Sequence, residues 1–170
     1  MQRKISLFFL AAILLSCRKD PAVVLDANLT NCPDKHTCDY SYFDHADFNN
    51  SQVIHGDSRV FRYSSVDSLI CDATTQFDVK VSLSGNSFDI TSAQIAAGQG
   101  VAAFDFICPC CDYAFVDYPF VSKPISGEIK GKRVNSTTWL LNARIIFGIS
   151  TSHPTDSIKV NQYFTLSKLP

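Results

Sequence analysis

Thr137-Thr138-Trp139-Leu140-Leu141-Asn142-Ala143-Arg144-Ile145-Ile146-Phe147 is the stretch that sets the fold class. Trp139, Leu141, Ala143, Ile145 and Phe147 recur at every second position, so an extended chain places all five on one face. Leu140 and Ile146 add apolar bulk to the other side, which predicts a strand that is central or covered on both faces. Asn135-Ser136 forms a turn just before it. Ahead of that turn, Ile125 to Val134 points Glu128, Lys130 and Lys132 one way and Gly127, Ile129 and Gly131 the other. Two such runs joined by a tight turn read as an antiparallel pair.

The same period extends outward along the chain. Phe77, Val79, Val81 and Leu83 share a face, with Asp78, Lys80 and Ser82 opposite, and Ser84-Gly85-Asn86 turns into Phe88-Asp89-Ile90. Val60 to Tyr63, Ser68 to Cys71, Ala102 to Cys108 and Gln162 to Leu169 are further strand segments. Cys32 to Asn50 reads as loop, with one short strand over Cys38 to Phe43. One short helix is expected over Ala93 to Ala97, capped by Thr91 or Ser92 and ended by Gly98. Fifteen of the sixteen acids are Asp and one, Glu128, is Glu, a balance that favours turns and strands over helices. The expectation is a mainly β domain: an antiparallel β-sandwich or partly closed barrel with one short helix, stapled by disulfides.

Composition narrows the class. Hydrophobic residues at 46% and charged residues at 18% exclude a wholly disordered chain. A formal charge of -1 gives no reason to expect nucleic acid. No apolar run reaches the roughly 18 residues that a membrane-spanning helix needs. Charge is uneven all the same: Cys17 to Asp117 holds 6 basic and 14 acidic residues, and Tyr118 to Pro170 holds 7 basic and 2 acidic. Strands that interleave would bring the two sets together.

The N-terminus carries an address. Arg3 and Lys4 precede an apolar run from Ile5 to Leu15, too short to span a bilayer and suited to a secretory signal. It ends Leu14-Leu15-Ser16-Cys17, which resembles the lipobox of bacterial lipoproteins. That resemblance implies removal of residues 1–16, acylation of Cys17 and attachment to a membrane through several acyl chains, enough for stable anchoring. An Asp after the lipidated cysteine would resemble an inner-membrane retention signal. Arg18 stands there instead, so the outer membrane of a Gram-negative cell is expected. Arg18-Lys19-Asp20 also resembles a surface-export tract. Residues 17–31 read as a tether and 32–170 as one domain; a mature chain of 154 residues can bury a real core.

Six cysteines remain after Cys17: Cys32, Cys38, Cys71, Cys108, Cys110 and Cys111. In an oxidising compartment disulfides are the default. Cys32 to Cys38 is the most local pairing, because Pro33-Asp34 can turn the chain back. Cys71 would then reach one member of the later cluster. The alternative is a soft-metal site for copper or zinc, built from Cys108, Cys110 and Cys111 with His36. Its spacings match no familiar zinc pattern, so structural disulfides and no cofactor are expected.

Asp39, Asp44, His45 and Asp47 lie close together but lack the order of a calcium-binding EF-hand loop. No Ser sits in a Gly-x-Ser-x-Gly elbow, and no residue set marks an enzyme. Tyr40, Tyr42, Phe43 and Phe48, like Tyr113, Phe115, Tyr118 and Phe120, could serve either a core or a face for carbohydrate or protein. Asp67-Ser68-Leu69 and Asp156-Ser157-Ile158 resemble an O-glycosylation acceptor of Gram-negative surface proteins, at Ser68 and Ser157. Together these readings point to a lipid-anchored lipoprotein with a binding or structural accessory role, with membrane and ligand as its partners and no nucleic acid.

Overall fold

Among the described residues, eight strands build a single sheet: β1 (His36–Asn49), β2 (Gln52–Asp67), β3 (Ala73–Ser82), β4 (Ser87–Ile90), β5 (Val101–Ile107), β6 (Lys123–Arg133), β7 (Thr138–Ser150) and β8 (His153–Leu166). A short helix, α1 (Ser92–Ala96), lies between β4 and β5. The fold comes from a computed structural model that describes residues 28–49, 52–70, 72–107, 123–150 and 153–169. Strand order is β4-β6-β7-β8-β1-β2-β3-β5, and the sheet curls into a half-barrel. Of the two β architectures expected, the partly closed barrel is the one found.

Two antiparallel groups make up the sheet. β1, β2, β3 and β5 follow one another, as do β6, β7 and β8, with β4 along the outer edge of β6. The groups meet where β1 and β8 run parallel, a pairing limited to Ser41 with Thr165 and Tyr42 with Leu166. β7 lies inside the sheet, between β6 and β8. Its Trp139, Leu141, Ala143, Ile145 and Phe147 are all buried on the concave face. They pack with Phe61 and Tyr63 of β2, Phe77 and Val79 of β3, Ile129 of β6 and Phe164 of β8. Phe61 is the hub of the rings, 5.4 Å from Trp139, 5.5 Å from Tyr42 and 5.3 Å from Phe88.

α1 follows the sequence pattern. The Thr91 N–H donates to the Gln94 side chain (2.9 Å), Ile95 buries against the core, and Gly98 takes a φ of +66° just past the end. Gly127 has a φ of +143° where β6 crosses β7, and any Cβ there would collide with the Arg144 carbonyl oxygen. That close approach leaves room for glycine alone.

Three expectations are corrected. The segment Cys32 to Asn50 is mostly strand, because β1 runs fourteen residues. A bulge explains the misreading: His45 has a φ of +54°, and the register with β2 shifts around Ala46. Past the bulge the inward and outward sets exchange, so no single alternation spans the strand. Phe43, Ala46, Val53 and Val60 instead form a second cluster, with Phe48 and Leu169 against it. Ser68 to Ile70 is a turn and no strand. The Asp67 carboxylate accepts the Leu69 N–H at 2.8 Å, the local bond that makes Asp a turn residue. Finally, β8 starts at His153, well before Gln162. Over 156–160 Ile158 and Val160 are buried between exposed polar residues, too little apolar signal to mark a strand.

Candidate functional site

The parallel seam between β1 and β8 opens towards the start of both strands. Into the gap runs the segment that precedes β1. The Thr30 N–H donates to the Asn161 carbonyl (2.8 Å), and the Asn161 N–H donates to Thr30 Oγ1 (2.8 Å). The Asn161 side-chain amide donates to the Asn28 carbonyl at 2.7 Å. Asn28 and Thr30, the last part of the stretch read as tether, are thus fastened to β8.

From there the chain turns at Pro33, whose carbonyl accepts the His36 N–H at 3.1 Å. Cys32 and Cys38 stand at disulfide distance, their Cα atoms 5.8 Å apart, and clamp the short loop holding Pro33 and His36. This is the local pairing expected from Pro33-Asp34. The clamp limits where the His36 ring can go.

Between this loop and β8 lies a pocket of about 250 Å³, lined by Pro33, His36, Tyr63, Ser65, Thr75, Asp156, Ser157, Ile158 and Lys159. Strand pairing brings distant residues together here. β1 pairs His36 with Asp67 and Cys38 with Ser65, and β2 pairs Ser65 with Thr75. His36 Nδ1 sits 2.8 Å from Ser65 Oγ, and His36 Nε2 is 3.6 Å from the Asp67 carboxylate. Tyr40 adds a phenol beside Tyr63, with ring centroids 5.4 Å apart. Burial first, and the Tyr63 phenol second, raise the Tyr40 pKa, so its hydroxyl keeps its proton.

Ser65, His36 and Asp67 are the residue types of a nucleophilic triad, but their geometry suits something else. Ser65 is 2% exposed. The gap from Asp67 to the imidazole exceeds hydrogen-bond range. β2 is also laddered on both sides at this level, which commits its N–H groups to neighbouring strands rather than to an oxyanion. What remains is a polar recess of hydroxyls and an imidazole, backed by an aromatic wall. Such a set exchanges hydrogen bonds with a bound polar group.

The other residues singled out in the sequence are placed as follows. Cys17, Cys71, Cys108, Cys110 and Cys111 lie outside the described residues, as do Tyr113, Phe115, Tyr118 and Phe120. His36 Nδ1 is taken up by Ser65 Oγ, and Asp67 stands 3.6 Å from Nε2. Among the described residues, no group of three His, Cys, Asp or Glu could hold a metal ion. The acids of β1 do not converge: Asp39 accepts from the Ser41 hydroxyl, Asp44 pairs with Arg59 and Asp47 with Lys80. The Lys80 ammonium lowers the Asp47 carboxyl pKa. Tyr42 and Phe43 are core, and Tyr40 and Phe48 pack against it. Ser68 is exposed in the β2–β3 turn, its hydroxyl donating to the Lys35 carbonyl at 2.7 Å. Ser157 is exposed on β8 and lines the pocket.

Tyr63, Ser65 and Thr75 were not singled out as site residues by the sequence. Each is an ordinary strand residue until three strands are set in register. Comparison with family models, with curated proteins and with solved structures returned no match.

The remaining cysteines give a test. Thr74 pairs with Ile107; in the sequence Cys71 precedes Thr74 by three residues and Cys108 follows Ile107 directly. At least two disulfides are expected in protein exported by its native route. Alkylation under denaturing, non-reducing conditions should therefore label at most two of the six mature cysteines. Labelling of four or more, or copper or zinc co-purifying at one per chain, would replace the disulfide reading with the metal one.

Proposed function

We propose that this chain is a lipid-anchored protein of the outer membrane that binds a small hydroxyl-bearing ligand, a sugar by preference, in the seam pocket between β1 and β8. The observation that carries the binding half is the recess itself. His36, Tyr63, Thr75 and Ser157 gather hydrogen-bonding groups at a place where the sheet separates. An aromatic ring beside hydroxyls and an imidazole matches a sugar's alternation of apolar C–H faces and polar O–H edges. The anchoring half rests on Leu14-Leu15-Ser16-Cys17, and the role is one of binding rather than catalysis.

Both halves can be tested on the same protein. Wild type grown with a fatty-acid analogue should carry the label and fractionate with membranes, whereas Cys17→Ala should be soluble and unlabelled. Titrating monosaccharides, then short peptides, into the soluble Cys17→Ala variant should shift the His36 imidazole NMR signals with a sugar. If peptides move those signals and no sugar does, the ligand class is wrong. If neither moves them, the pocket is not a binding site.

A further inference from the structure

We propose that the Leu69-Ile70 turn is a membrane-contacting tip, which the half-barrel presses into the lipid surface that holds its own N-terminus. This inference rests on the anchoring reading above and adds which end of the molecule meets the bilayer.

Leu69 is 67% exposed and Ile70 49%. Single exposed apolar residues are ordinary on any surface. Here two adjacent ones occupy the tip of a turn, and Leu69 is the most exposed large apolar residue among those described. The turn is held firmly. The Ser68 N–H and hydroxyl both donate to the Lys35 carbonyl, at 3.2 and 2.7 Å, and the Leu69 N–H is fixed by Asp67. That joins the tip to the Pro33–His36 turn and so makes one rigid rim.

The start of the described chain says which surface lies opposite this rim. Asn28 is bonded to Asn161 and precedes Pro33 by five residues, at most about 18 Å of chain. From His36 to the far end of β1 the sheet runs thirteen residue steps, about 43 Å in extended chain. Eleven residue steps lead from Cys17 to Asn28, a reach of at most roughly 40 Å. The rim nearest Asn28 is therefore the end held closest to the acyl chains on Cys17. Leu29, 42% exposed, lies on the same path. A pair of aliphatic side chains on a braced turn suits shallow insertion at the headgroup boundary.

The test uses the full lipidated chain in vesicles of phosphatidylethanolamine and phosphatidylglycerol whose acyl chains are brominated. A tryptophan reporter is placed by Leu69→Trp at the rim or by Ile54→Trp towards the opposite hairpin end. Trp139 stays in place, buried, and its signal is subtracted with the wild type. The Leu69→Trp reporter should shift to the blue and be quenched at least threefold more than the Ile54→Trp reporter. Equal quenching, or an unquenched, water-like Leu69→Trp reporter on protein that is labelled and sediments with the vesicles, overturns the tip. Wild type that carries no fatty-acid label fails differently: the anchoring reading falls, and the tip with it.

Discussion

Trp139→Ala should lower the unfolding free energy by about 3–5 kcal/mol, the usual range for truncating a large buried aromatic. Trp139 is 1% exposed and lies against Phe61 and Phe88, at 5.4 and 5.9 Å between ring centroids. β6 and β8 flank it through Arg133 and Phe164. No neighbour can slide into the space without breaking a ladder. The indole also carries the Arg59 guanidinium, 4.8 Å above the ring, which is buried with it and held in plane by Asp44. Removing the ring takes away the apolar volume and one face of that cation's surroundings together. Chemical denaturation read by circular dichroism gives the number. A loss under 1 kcal/mol would mean that this face of β7 is not the centre of the core, and the reading of residues 137–147 would go with it.

That strand was legible because its signal is local. Alternation over eleven residues needs no partner to be recognised, and the same holds for β3, the β6–β7 turn and the cap on α1. β1 was hard to read for a physical reason. Its bulge at His45 exchanges the two faces in mid-strand, so Ala46 and Phe48 join Phe43 in the second cluster instead of following Tyr42 into the first. The Cys32–Cys38 clamp could be inferred from spacing, since six residues and a proline turn suffice. The pocket could not. His36, Ser65, Thr75 and Ser157 meet only through two antiparallel registers and one parallel seam, and no run of sequence encodes a seam.

Arg62→Leu should be the most damaging substitution on the outer face, destabilising by about 3–5 kcal/mol because it leaves a charge buried without its partner. The strand period assigns Asp78 to the side opposite the core, where an acid is expected to meet water. It is 0% exposed. Arg62 on β2 is the register partner of Asp78 on β3, and the guanidinium grips the carboxylate with two bonds, at 2.7 and 2.8 Å. The Gln76 amide adds a third at 2.9 Å. Without the guanidinium, the carboxylate keeps one neutral donor, far short of what it had in water. Alternation therefore assigned the correct face but not its burial, because the partner that holds the carboxylate, Arg62, comes from the neighbouring strand. The double variant Arg62→Leu/Asp78→Leu separates charge from packing. Replacing both members of a buried pair by apolar residues is often close to neutral. The double variant should therefore recover most of the stability lost by Arg62→Leu alone. If the single variant unfolds at the wild-type denaturant midpoint, Asp78 is solvated in solution and the outer face is open there. If the double variant is no better than the single, the loss belongs to the packing of the Arg62 stem rather than to the stranded carboxylate.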